Sequence, residues 1–130
     1  MTPLTVLLVA VGAAVGAPMR YVVERRLVGA YPWGTWIVNV VGSAVLGATA
    51  GYLVGRGSST SATAVLALVG TGFCGSLTTF GGFAAQVLDL AAGPRSDPLA
   101  SRSWRAIGYG TVSVLACVAV AAGFYAATSP

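Results

Sequence analysis

The chain has 130 residues, 56% hydrophobic and only 8% charged, with a mean hydropathy of +0.84. A soluble domain carries about a quarter charged residues, so this composition cannot solvate a globular surface and is that of a single integral membrane domain spanning 1–130. Seven arginines, three acids and no histidine leave no acid–base, nucleophilic or metal-ligating constellation, which argues against an enzyme. Because the arginines sit at span ends and in loops, the net charge of +4 reads as contact with membrane lipid rather than nucleic acid.

Crossing ~30 Å of hydrocarbon takes about 20 apolar residues. The first candidate span runs from about Leu4 to Val23. It lacks the basic leading region of a signal peptide and is read as a retained span. Gly12, Gly16 and Arg20 recur every four residues on it, so two glycines and an arginine share one face. The second span, from about Trp33 to Val54, carries Thr35, Asn39 and Ser43 in a row of the same spacing, continued by Gly47, Gly51 and Gly55 as a seam for close packing. A carboxamide at membrane depth is unfavourable unless partnered, so Asn39 is a candidate either for function or for an interhelical bond.

The third apolar segment, from about Ala62 to Ala92, is too long. Some 30 residues of straight helix extend roughly 45 Å, well beyond the hydrocarbon core. Within it lies TGFCGSLTTFGGF (71–83), rich in glycine and hydroxyl residues, which favours an interruption over a steep tilt. Backbone freed at membrane depth must be buried in protein or line a polar cavity, and such breaks often hold ions on their carbonyls. The fourth span, from about Ala106 to Ala127, repeats the four-residue spacing with Tyr109, Ser113 and Cys117. Cys74 and Cys117 lie in apolar spans and read as small buried residues rather than a disulfide.

The connections 24–32, 55–61 and 93–105 are too short to house a folded site, so function belongs inside the bilayer. The spans hold no central carboxylate: Glu24 is placed in a loop, and Asp89 lies near the end of the third span. Proton coupling usually needs such a group, whereas Asn, Thr, Ser and Tyr donors with an arginine nearby suit a small anion.

The ordered set GAAVGAPMR (12–20), PWGTWIVNVVGS (32–43), TGFCGSLTTFGGF (71–83) and YGTVS (109–113) resembles the small bacterial fluoride channels called Fluc or CrcB, over essentially the whole chain. The resemblance implies an antiparallel dimer of four-helix subunits in the bacterial plasma membrane, exporting fluoride passively through pores built from both subunits. It implies Phe80 and Phe83 as the pore's aromatic pair, Asn39 as an amide donor to fluoride, and Arg20 as the attraction at the vestibule. Gly75 and Thr78 would offer backbone carbonyls to a central Na+, while Thr79, Tyr109 and Ser113 would add hydroxyls to pore or interface. A ring edge carries partial positive charge and so meets an anion weakly, as conduction requires.

The chain also departs from the family pattern. Where a serine/threonine pair, then Phe, then Ser-x-Glu usually follow TTF, it has Gly81, Gly82, Phe83, Ala84 and Gln86. Alternating spans put Arg20, Arg25, Arg26, Arg95, Arg102 and Arg105 toward one side and Arg56 alone toward the other. The positive-inside rule then predicts one orientation with both termini outside the cytoplasm. Lost hydroxyls and biased charge together favour one half of a heterodimer with an oppositely oriented homologue over a homodimer. The rival readings are a small dual-topology proton-coupled multidrug antiporter, which would need an acid in the first helix, and a non-transporting accessory membrane subunit.

Overall fold

Caps and prolines in the sequence decide where the helices begin. The computed structural model describes residues 2–29, 31–54, 56, 59–94 and 96–130. Helix α1 (Pro3–Arg26) starts on Thr2, whose hydroxyl oxygen accepts from Thr5 N at 3.3 Å, with Pro3 in the first turn where its missing N–H is harmless. It continues past Val23 into Arg25 and Arg26, whose charges suit the negative end of the helix dipole. Glu24, expected in a loop, is therefore helical.

Helix α2 (Trp33–Val54) is led in by Pro32, whose carbonyl accepts from Trp36 N at 3.2 Å. The third span opens with α3 (Thr60–Val65), capped by the Ser59 hydroxyl on Ala62 N at 3.1 Å. It then widens into a π-helical stretch, Leu66–Cys74, before a last helical turn, α4 (Gly75–Leu77). Thr78 (φ −78°, ψ 155°) and Thr79 (φ −146°, ψ 119°) are extended, and α5 (Phe80–Ala92) resumes the helix.

Helix α6 (Leu99–Thr128) begins at Leu99, well before the apolar run at Ala106. Hydropathy finds only the lipid-embedded part of a helix, and the first turns of α6 carry Arg102, Trp104 and Arg105 instead. Arg102 Nη1 donates to the Ala92 carbonyl at 2.6 Å, satisfying the end of α5, which Gly93 closes at a φ of +28°.

Among the described residues, four helical spans of 24, 22, 33 and 30 residues are long and apolar enough to cross a membrane. Two glycine seams hold them together. A methyl on Gly12 would strike the Leu68 carbonyl, one on Gly16 the Ser76 hydroxyl, and one on Gly72 the Val9 carbonyl, so α1 lies directly on the π-helical stretch. On the other side, Gly47 abuts the Ala121 carbonyl and Gly51 the Tyr125 carbonyl, bringing α2 against α6. Thr128 Oγ1 ties that seam with a 3.0 Å bond to the Ala48 carbonyl. Gly55, expected to extend it, lies outside the described residues. Both cysteines are free, Cys74 buried and Cys117 half-buried.

Helix α5 is the exception. It packs mainly on α6 and contributes no buried residue.

Candidate functional site

The interruption of the third span has two parts with different physics. From Leu66 to Cys74 the helix is widened but still internally hydrogen-bonded, so Gly70 and Gly72 stay helical. Only Thr78 and Thr79 leave helical geometry. Thr78 ends the first segment locally: its N–H and its hydroxyl both donate to the Cys74 carbonyl, at 3.0 and 2.9 Å.

Thr79 is held from outside by Asn39. The Asn39 Nδ2 donates to the Thr79 carbonyl at 3.2 Å, and Thr79 N donates to Asn39 Oδ1 at 2.8 Å. This is the pairing a neighbouring strand would give, supplied by one side chain of α2. Gly42, one turn further along α2, makes it possible, because a methyl there would strike Thr78 Cγ2. The Thr79 hydroxyl then caps α5, accepting from Gly82 N at 3.0 Å. Asn39 thus makes the interhelical bond, and it retains one amide hydrogen.

Arg20 also reaches the break. Its Nη1 approaches the Thr78 carbonyl at 3.4 Å, at the C-terminal end of α4, where a cation is favoured. The neighbouring Gly75 carbonyl lacks its usual fourth-residue donor, since Thr79 N is committed to Asn39.

Asn39, Gly75, Thr78, Thr79, Phe80, Phe83 and Ser113 line one groove of about 360 Å³; Arg20 is not among its lining residues. Phe80 is 81% exposed, the most open of these side chains, and its ring centroid lies 6.0 Å from that of Phe83. Ser113 is buried, and its hydroxyl has no hydrogen-bond partner.

From Phe83 a row of rings leads away. Tyr109, 1% exposed, lies 5.7 Å from Phe83 and 5.5 Å, edge to face, from Tyr31. Tyr31 belongs to a second cavity of about 390 Å³ that also holds Glu24, Thr35, Gln86, Asp89 and Arg105. This cavity puts the first and third connections at the same end of the bundle.

Tyr109, expected to add a hydroxyl to the pore or interface, is not among the residues lining either cavity; it starts a hydrogen-bond relay that leads to the second. Its hydroxyl donates to Gln86 Oε1 at 3.0 Å, Gln86 Nε2 donates to Thr35 Oγ1 at 2.7 Å, and Thr35 Oγ1 donates to Glu24 Oε1 at 3.1 Å. The relay crosses α6, α5, α2 and α1. Sequence reading left it out, although Glu24 continues the Gly12, Gly16, Arg20 row by one more step of four, and Thr35 precedes Asn39 by the same step.

A family model described as CrcB-like protein, Camphor Resistance (CrcB), matches residues 7–124. The chain belongs to the CrcB family. Curated CrcB-type relatives carry a more specific name. The chain is similar to fluoride-specific ion channel FluC 1 of Frankia casuarinae, 46% identical over 65% of this chain and 70% of the relative. It is 38% identical to fluoride-specific ion channel FluC 1 of Nocardia farcinica, over 94% of this chain and 77% of that one. It is also 38% identical to fluoride-specific ion channel FluC of Paramagnetospirillum magneticum, over 96% of both. These relatives are named as ion channels, not enzymes. Four spanning helices and channel relatives make this CrcB chain a multi-pass membrane protein.

Proposed function

We propose that the chain is a subunit of a fluoride channel that lets F− leave the cytoplasm passively across the bacterial plasma membrane. The observation that carries the reading is the groove itself, lined by Asn39 with its spare amide hydrogen, by Ser113 with its unpartnered hydroxyl and by the Phe80–Phe83 pair, with no fixed negative charge among its lining residues. Hydrogen-bond donors and ring edges attract a small anion without trapping it. Arg20, turned to the Thr78 carbonyl, adds positive potential behind the break rather than a ligand in the groove.

The groove beside the exposed Phe80 needs a protein cover, because it holds the Gly75 carbonyl, whose usual donor is committed to Asn39, and lipid cannot satisfy a free carbonyl at membrane depth. We place a second, antiparallel subunit there. The Gly75 and Thr78 carbonyls would then meet their counterparts across the dimer axis and hold a structural Na+; two oxygens from one subunit are too few alone. Their chemistry fits a hard cation, with Arg20 sharing one of them. When bound, the ion would offset the negative ends of two helices.

The departures at Gly81 and Gln86 support a heterodimer with an oppositely oriented homologue, both termini of this chain being outside. A methyl at Gly81 would meet nothing within 4 Å, so no packing in this subunit demands the missing hydroxyl. The antiporter reading is disfavoured because the acid of α1, Glu24, sits at the helix end rather than in the groove. Efflux of fluoride from liposomes, measured with an electrode for the chain alone and with a homologous partner, tests the proposal. Flux with the partner is expected. Its absence in both preparations sinks the channel, and robust flux from the single chain sinks the heterodimer.

A further inference from the structure

The relay from Tyr109 has a direction. Tyr109 donates to Gln86, Gln86 to Thr35, and Thr35 to the Glu24 carboxylate, so every donor turns away from the groove and toward the second cavity. The carboxylate fixes this polarity: it can only accept, so Thr35 spends its one hydrogen on Glu24, accepts from Gln86 Nε2, and leaves Gln86 Oε1 to accept from Tyr109. The terminal acceptor carries the charge. Glu24 is built into place: a methyl on Gly34 would come within 2.7 Å of Glu24 Cα, so the last turn of α1 seats directly on the first turn of α2. Among the described residues Glu24 has no ion pair; the nearby Arg105 pairs with Asp97 at 3.5 Å.

We propose that Glu24 is a built-in anion of this mouth: its carboxylate occupies the outermost donor of the relay, the Thr35 hydroxyl, and an anion passes this way only by displacing it. The proposal rests on the channel reading for its purpose, but the anchoring is a property of the chain itself. Exchange of one anion for another keeps Thr35 satisfied throughout, so displacement leaves no polar group stranded. Its effect is to raise the anion concentration at which this mouth fills, and so to make passage between the two ends unequal.

Trp33 reports on the mouth, because it stands next to Gly34 and its ring lies 4.9 Å from Tyr31, which lines the cavity. With Trp36→Phe and Trp104→Phe in place it is the only tryptophan. Its fluorescence is quenched by iodide, an anion, and by acrylamide, which is neutral. Glu24→Gln keeps the acceptor for Thr35 and removes only the charge. Iodide quenching of the purified full chain is expected to rise about twofold at low salt and to converge with wild type near 1 M salt, with acrylamide unchanged. In a Thr35→Val background, where the carboxylate is no longer anchored, the gain is expected to fall by half or more. No change with iodide, an equal rise for both quenchers, or a gain indifferent to Thr35 each overturns the proposal. Fluoride efflux is measured on the same proteins with the homologous partner. Wild-type flux with no drop in the half-saturating fluoride for Glu24→Gln also counts against it, whereas absence of wild-type flux overturns the channel reading and leaves the outcome of the quenching experiment standing.

Discussion

The two cavities share amide and hydroxyl groups and differ in charge: the groove is lined by no charged residue, the second cavity by Glu24, Asp89 and Arg105. Around the groove, Asn39, Thr79 and Ser113 supply amide and hydroxyl groups, and no carboxylate terminates them. Around the second cavity, Thr35, Gln86 and Tyr31 supply the same kinds of group, but Glu24 collects the last hydrogen. One buried donor in the groove has no partner, while every residue of the relay is hydrogen-bonded to the next. A polar residue in a membrane protein therefore says little until the acceptor at the end of its hydrogen-bond chain is known. Tyr109, packed between Phe83 and Tyr31, marks the wall between the two regimes.

The largest way to break this contrast is Asn39→Leu. It strands the Thr79 N–H and carbonyl at once, so we expect about 2–4 kcal/mol of destabilisation together with loss of fluoride flux. Thermal unfolding in detergent beside liposome efflux measures both, and an unchanged melting temperature would show that the break is self-supporting. Next comes Phe80→Ile, which removes a ring whose side chain packs on little within the subunit. Flux should fall about tenfold, the equivalent of one favourable ring contact, while stability stays within about 0.5 kcal/mol. Equal losses of flux and stability would assign Phe80 to packing instead.

On the mouth side, Gln86→Leu leaves the Tyr109 hydroxyl without its acceptor and should destabilise by about 1 kcal/mol. Chemical or thermal melts compare it with Gln86→Glu, which keeps an acceptor for Tyr109. The smallest effect is expected for Gly81→Ser, since the position opens on empty space; stability should move by less than about 0.5 kcal/mol. If that variant conducts as a single chain where the wild type does not, the missing hydroxyl accounts for the proposed need for a partner. By contrast, Gly82→Ser meets the cap, because a Cβ there lies 3.0 Å from Thr79 Cγ2.

Much of this molecule is legible in one dimension because lipid leaves few choices. A bilayer admits only internally bonded helices, so apolar runs bounded by proline and glycine announce the spans, and glycines four apart announce where they touch. Gly12, Gly16, Gly47 and Gly51 could be read in this way before any contact was known. The helix ends could not, because charged turns such as Arg25–Arg26 and Arg102–Arg105 continue a helix that hydropathy has stopped detecting.

The sequence by itself determined the class, the spans, the family and the residue types that gather at the groove. Only the tertiary structure decided how those residues are used. The third span widens before it breaks, because π-helical bonds keep Gly70 and Gly72 satisfied where free carbonyls would be stranded. Asn39 closes on Thr79 because Gly42 lets α2 approach. Glu24 ends a relay through four helices because Gly34 has no side chain. Hydrogen-bond partners are set by distances of a few tenths of an ångström between elements far apart in the chain, and no spacing along one helix contains that information.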